Sequence, residues 1–302
     1  MTHPRHEVEV SDRLVRTLLA AQHRDLADLP LVRAAQGWDN VTFRLGPELA
    51  VRLPARAAAA PLVAHEQRWL SVLAPLVPVP VPVPVRVGRP GAGYRWPWSV
   101  VPWLAGRPAD ALTPADRDAW AEELAAALAA LHQPAPADAP ANPFRGVPLA
   151  ARDAAVRPRL AAHPLRDALL RAWRDGLAAP AWDRPPVWLH GDPHPANLLD
   201  EHGHLAGILD FGDVTAGDPA SDLGAVWAMF TPSGRARFWD AYAAASPCGS
   251  PQLAALAVRA RAWAAALVPT YTAHPEQHPG LAAAGGHALR ELTAGPRTAA
   301  PR

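Results

Sequence analysis

The chain of 302 residues carries 28 acidic side chains against 29 basic ones, and every basic one is Arg. Without lysine there is no Walker-A nucleotide site, pyridoxal phosphate enzyme or Schiff-base mechanism, since each requires an amine. A net charge of +1 gives no argument for nucleic acid or an anionic membrane surface as partner, and the single Cys248 excludes an internal disulfide framework and fits a reducing cytoplasm.

The N-terminal Met1-Thr2-His3-Pro4-Arg5-His6-Glu7 lacks an apolar leader core, and no run is expected to approach the length of a membrane span. Ser11 can cap a helix through Leu14, Leu18 and Leu19. Gln36-Gly37-Trp38-Asp39-Asn40 then makes a turn opening the strands Val41–Leu45 and Leu49–Leu53, joined by Gly46-Pro47-Glu48. Arg52 alternates with Val51 and Leu53 and so points away from the face they bury. A helix from about Pro61 carries Glu66, Leu70 and Leu73 on neighbouring faces. Arg52 and Glu66 form a candidate ion pair.

Pro78-Val79-Pro80-Val81-Pro82-Val83-Pro84-Val85 has a period of two. Successive N–H groups of a strand point to opposite edges, so alternate prolines delete donors from one edge and leave the other able to pair. The run predicts an extended arm leading into an edge strand through Val87. The next strand covers Trp96–Val101 and ends at Pro102-Trp103-Leu104-Ala105-Gly106. Beyond it the pattern is mainly helical. Thr113-Pro114-Ala115-Asp116 supplies a cap, a first-turn proline and an acid, and Trp120, Leu124, Leu128 and Leu131 extend that segment. The Pro- and Ala-rich stretch to about Pro148 reads as a surface loop. Helical patterns resume over Leu165–Leu177 and Gln252–Val268, and residues after about Gly295 are expected to be disordered.

The chemistry concentrates in His190-Gly191-Asp192-Pro193-His194-Pro195-Ala196-Asn197, followed by Asp210-Phe211-Gly212. Asp192 precedes Asn197 by five residues, and Asp210 lies thirteen further on. Phosphoryl transfer needs a carboxylate to orient the attacking hydroxyl and oxygen ligands to hold Mg²⁺ against nucleotide phosphates. The spacing matches the kinase pair H-R-D-x-x-x-x-N and D-F-G. Val187-Trp188-Leu189 reads as a strand feeding the loop, and the prolines exclude a helix there. Leu198-Leu199 and Leu205–Leu209 read as a hairpin, which brings Asn197 and Asp210 together. His190, His194, His202 and His204 also cluster, but zinc sites favour defined Cys and His spacings and no Cys is near.

These segments resemble the aminoglycoside phosphotransferase family and, through Arg-Leu-Pro after the third strand, its macrolide-phosphotransferase-like branch. The resemblance runs from about Gln36 to Met229. It implies an α+β, bilobal protein-kinase-like fold, with a small antiparallel-sheet N-lobe (residues 1–104) and a larger, mainly helical C-lobe (105–302). It implies Asp192 as catalytic base, Asn197 and Asp210 as Mg²⁺ ligands, and Arg52 on the phosphates of ATP or GTP with Glu66 beside it. The Pro102 carbonyl and the Leu104 N–H would read the base. Gly217–Leu223 would open a helix in which Asp222 braces the catalytic loop. Two departures stand out: no G-x-G-x-x-G occurs, leaving Gly37, Asp39 and Asn40 to close over the nucleotide, and Arg52 stands where Lys is usual.

The acceptor expected is a small hydroxylated molecule, an aminoglycoside or macrolide antibiotic for example. From Ser233 to Arg302 the acids Asp240, Glu276 and Glu291 face seven arginines, which favours an acceptor less charged than a polycation. Trp239, Tyr242, Trp263 and Tyr271 in that tail read as core. The rival reading is a catalytically silent, kinase-shaped protein that binds nucleotide as a regulator.

Overall fold

The computed structural model describes residues 6–294. The chain divides into two compact units, described in turn. The residues expected to be disordered after Gly295 lie outside the described ones.

The first unit comprises the described residues through Leu76, together with Pro80–Ala105 and Asp210–Gly212. Its elements are α1 (Asp12–Gln22), β1 (Leu31–Gln36), β2 (Asn40–Leu45), β3 (Leu49–Pro54), α2 (Ala60–Leu73), β4 (Arg86–Gly88) and β5 (Trp98–Pro102). Ser11 accepts from the Leu14 N–H and caps α1 as expected. The strands form one antiparallel sheet in the order β1-β2-β3-β5-β4. Strand β1 was not expected. Leu31 is buried and Val32, Arg33, Ala34 and Ala35 are all exposed, so this run has none of the alternation that marks a half-buried strand. Val41, Phe43, Leu45, Val51, Leu53, Trp98 and Val100 form a core with Val15, Leu18 and Leu19 of α1. The proline arm pairs only at its end: the Val85 N–H donates to Val100 O at 2.8 Å and β4 continues as the edge strand, whereas the Val83 N–H turns back to Val81 O at 2.9 Å instead of reaching a neighbouring strand.

The second unit comprises Val77–Val79, Gly106–Leu209 and the described residues from Asp213 onward. It contains β6 (Arg107–Pro108), α3 (Pro114–Arg117), α4 (Ala121–Leu131), α5 (Leu149–Ala161), α6 (Arg166–Ala178), β7 (Val187–Leu189), β8 (Leu198–Glu201), β9 (His204–Ile208), β10 (Thr215–Gly217), α7 (Ala220–Leu223), α8 (Val226–Met229), α9 (Pro232–Ala245), α10 (Ser250–Tyr271) and α11 (Pro279–Thr293). A complete capping box between Thr113 and Asp116 starts α3. Helix α10 is central and packs against α5, α6, α7 and α11. Helices α5, α9 and α11 escaped the sequence reading. Alanine, arginine and glycine dominate them, and α5 buries only Leu149, Val156 and Leu160, too sparse a stripe to register as a period.

By length and composition α10 could cross a membrane, against the expectation that no run would; 67% of its apolar window is buried inside the protein. A buried core helix passes the same hydropathy test as a spanning one. Tyr242, Trp263 and Tyr271 are likewise buried, in keeping with their reading as core, whereas Trp239 is only half-buried.

Candidate active site

The loop after β7 is held from beneath. Strand β7 pairs antiparallel with β10, Leu189 opposite Thr215. Three residues beyond β10, α7 begins and carries Asp222, which is fully buried. Its carboxylate accepts from the N–H groups of His190 at 2.8 Å and Gly191 at 2.9 Å, and His132 Nε2 lies 3.2 Å away. His132 Nδ1 meets the buried Tyr242 hydroxyl at 2.8 Å. Burial alone would raise the Asp222 pKa; His132 and the Gly191 N–H outweigh it and hold the carboxyl below its ordinary value. The family resemblance gave Asp222 a bracing role, and its bonds are those of a brace.

Within the loop, the His190 ring links two backbone points. Nε2–H donates to Leu209 O at 2.8 Å, and Nδ1 accepts from the Asp192 N–H at 3.1 Å. A carbonyl can only accept and an amide N–H can only donate, so the partners specify the tautomer. The Asp192 carbonyl in turn accepts from the His194 N–H at 2.8 Å and from Asn197 Nδ2 at 2.9 Å. With Nδ2 committed, the Asn197 amide presents Oδ1 to other partners. Pro195–Asn197 forms a single 3₁₀ turn, so the prolines allow a short helical turn where none was expected. Proline at the first position of a turn has no N–H to lose there.

The hairpin of β8 and β9 turns at His202 and Gly203, both at positive φ (56° and 80°), the pattern of a type I′ turn. Its open end is closed by the Leu209 N–H donating to Asn197 O at 2.7 Å, and Asp210 follows at once. Asp210 has φ 56°, a strained backbone for a non-glycine residue and one that concentrates at functional positions.

Asp210 belongs to the first unit, where it meets the pair expected from β3 and α2. Arg52 Nη1 lies 2.8 Å from Glu66 Oε1, and Arg52 Nη2 lies 3.1 Å from Asp210 Oδ1. Glu66 is buried, while the Asp210 side chain is 46% exposed. One cation thus sits between two carboxylates. Burial opposes the charge on Arg52, but Glu66 and Asp210 together overcome it and raise its pKa. Glu66 shares its cation with a second anion, so burial, reinforced by Asp210, outweighs Arg52 and raises the Glu66 pKa as well.

In the turn before β2, Asp39 is paired with Arg56, and the buried Asn40 Oδ1 has no hydrogen-bond partner. The Gly37 N–H donates to Asn40 O at 2.9 Å. Pro102 ends β5 opposite Leu49, and both Pro102 and Leu104 are half-buried. Among the described residues, no three His, Cys, Asp or Glu side chains form a metal-binding group.

Sequence reasoning missed Arg145, in the stretch read as a plain surface loop. Its Nη2 lies 2.9 Å from Asp192 Oδ1. Burial opposes the Arg145 charge, and Asp192 more than offsets it, raising the pKa. The neighbouring Gly146 explains how the loop gets there. It sits at φ 68°, its carbonyl accepts from the Asp218 N–H at 2.9 Å, and a Cβ on Gly217 would lie 2.0 Å from that carbonyl oxygen. Two glycines permit the backbone approach. The available signal was Gly146 itself, the sole glycine between Gly106 and Gly176.

A model of the phosphotransferase enzyme family, abbreviated APH, matches residues 30–258. The chain belongs to that family. No curated protein matches this phosphotransferase by sequence. Similar solved structures include the GDP complex of wild-type aminoglycoside 2'-phosphotransferase-IIIa, 19% identical over 93% of this chain and 97% of that one, with a TM-score of 0.69. The macrolide 2'-phosphotransferase MphH from Brachybacterium faecium is 24% identical over 89% of this chain and 97% of its own, at a TM-score of 0.59. Macrolide 2'-phosphotransferase type I is 23% identical over 92% and 97%, at 0.57. At such identities the likeness is one of fold. It agrees with the α+β, kinase-like architecture expected from the sequence, an antiparallel-sheet N-terminal region followed by a helical C-terminal one.

Proposed function

We propose that this phosphotransferase moves the γ-phosphoryl group of ATP or GTP to a hydroxyl of a small molecule. The observation that supports the reading is Arg52 of β3 bound to Glu66 of α2, the cation–carboxylate pair a kinase phosphate site uses, and at the same time to Asp210, which is remote in sequence. In the reaction a bond forms between phosphorus and the acceptor oxygen, while the bond to the β,γ-bridging oxygen breaks and its electron pair leaves with the nucleoside diphosphate. Asp192 orients the hydroxyl and takes its proton. Arg52, steadied by Glu66, contacts the nucleotide phosphates through a planar fork. The Pro102 carbonyl and Leu104 N–H are assigned to the base.

Asn197 and Asp210 are the residues that would hold Mg²⁺. Their donors are an amide oxygen and a carboxylate, the hard oxygen ligands that ion takes, and the Asn197 Nδ2 bond leaves Oδ1 as the donor. Bound there, Mg²⁺ would neutralise charge developing on the transferring group. The solved relatives are named for aminoglycosides and macrolides, which makes hydroxylated antibiotics the first acceptors to try. Asp192, Asn197 and Asp210 all being present argues against a silent nucleotide-binding regulator.

The test pairs purified protein with Mg·ATP or Mg·GTP and a panel of hydroxylated compounds, with phosphate addition followed by mass. Asp192→Ala should lower turnover at least about a hundredfold, the lower end of general-base effects, and leave nucleotide affinity nearly unchanged. Equal turnover in that variant would remove Asp192 from the chemistry.

A further inference from the structure

Next to Asp192 the second unit places Arg145, whose charge reaches two further arginines, Arg152 and Arg159. Arg145 binds the Asp192 carboxylate at 2.9 Å and also feels Asp213 and Asp222. Arg152 and Arg159 stand on α5 seven residues, about two turns, apart and therefore on one face. Arg152 lies over the Phe144 ring, 5.1 Å from its centroid, and its Nε is buried without a hydrogen-bond partner. Arg159 Nη2 donates to Thr270 Oγ1 at 2.7 Å. The next residue, Tyr271, has its hydroxyl buried without a partner, and its ring meets that of His194 edge-on at 6.0 Å. A chain of contacts thus runs from the catalytic loop through Tyr271 to Arg159.

The charges on this face do not balance. Burial, the larger influence, holds both Arg152 and Arg159 below the ordinary arginine value, and neighbouring arginines lower them further: Arg145 acts on Arg152, and both act on Arg159. Among the described residues no carboxylate offsets either one. Like charges packed together are destabilising unless a counter-ion joins them. Arginine is also the side chain best shaped to clasp a carboxylate or phosphate in a fork. Phe144, 58% exposed, adds an apolar contact beside them.

We propose that Arg152 and Arg159 anchor the acceptor, and that the acceptor is a hydroxylated molecule carrying an oxyanion, a carboxylate or a phosphate ester. The proposal rests on the phosphotransfer reading and names its substrate class. A polycationic aminoglycoside would meet like charge here. The transfer step is unchanged: the acceptor hydroxyl gains the phosphoryl group and its proton passes to Asp192.

Two measurements on the full chain test this. Inorganic sulfate, titrated calorimetrically at low ionic strength, should bind the wild type and bind the Arg152→Gln/Arg159→Gln double variant at least about tenfold more weakly. Arg152→Gln alone, which removes a group whose Nε has no partner, should show part of the loss with an unshifted melting temperature and so guards against misfolding. In parallel, hydroxy acids and sugar phosphates are each compared with a neutral counterpart as acceptors under Mg·ATP and Mg·GTP. The anionic member should be preferred at least about tenfold in kcat/KM, with the preference lost in the double variant. Which series responds distinguishes carboxylate from phosphate. Equal sulfate affinity in the variants, or transfer to aminoglycosides in preference to anions, overturns the proposal and leaves phosphotransfer standing. Sulfate held through Arg152 and Arg159 with no transfer to any alcohol overturns the phosphotransfer reading and the acceptor assignment with it.

Discussion

At the scale of single residues, the proposed phosphate contact rests on Arg52, which stands where the family resemblance leads one to expect lysine. A guanidinium spans two carboxylates with separate nitrogens, Nη1 to Glu66 and Nη2 to Asp210; an ammonium is a point charge and cannot hold both with that shape. Removing the guanidinium in Arg52→Ala should raise the KM for nucleotide about tenfold or more, the worth of a charge-assisted hydrogen bond. Arg52→Lys should fall between the two, measured as initial rate against nucleotide concentration. The pair Arg52–Glu66 was legible because strand alternation and helix spacing each report on the immediate neighbourhood. Arg145 was not legible. Nothing in Asn142-Pro143-Phe144-Arg145 marks it as different from any other loop arginine, and its partner Asp192 lies 47 residues on.

Among the secondary elements, the loop from His190 to Asn197 owes its shape to what lies under it. Asp222 accepts from two successive backbone N–H groups of the loop and meets His132. Asp222→Ala would leave those buried donors unpaired at about 1–3 kcal/mol each. The variant should unfold at distinctly lower urea and lose turnover more than nucleotide affinity, since nucleotide contacts are assigned elsewhere. Strand β10 is equally constrained by its approach to the Gly146 loop. In Gly217→Ala the new Cβ would meet backbone at 2.0 Å, where nothing flexible can yield. The expected cost is about 1–3 kcal/mol, the range for overpacking, read from urea denaturation. Activity should fall further than that loss explains if the loop carrying Arg145 is displaced.

For the molecule as a whole, stability should fall on mild acidification. His287 of α11 is buried and donates Nε2–H to Phe230 O at 2.8 Å. Burial, the largest influence, holds its pKa below the ordinary 6.5. The unfolded imidazole then takes up a proton more readily than the folded one. Stability present above pH 6.5 is therefore lost as pH falls through the lower folded value. Urea unfolding at pH 7.5 and 5.5 should show this loss, and His287→Gln should flatten it. Asp222 adds a separate acid limit. Its depressed pKa gives stability above the ordinary carboxyl value of 3.8 that disappears as pH falls below it.

The primary chain by itself determined the kinase-like class, the capped starts of α1 and α3, the edge strand that follows the proline arm, and the Asp192–Asn197–Asp210 spacing. Each of these is written in periodicity, turn chemistry or a local motif, which depend on neighbours a few residues away. The tertiary structure decided the rest. It seats Arg52 between Glu66 and Asp210, brings Arg145 to Asp192 over two facing glycines, and sets Arg152 and Arg159 of α5 within the influence of Arg145 with no carboxylate of their own. The first two arrangements join residues tens to more than a hundred positions apart. Coulomb attraction and close packing act through space, and a one-dimensional pattern holds no record of which distant side chains the fold will make neighbours.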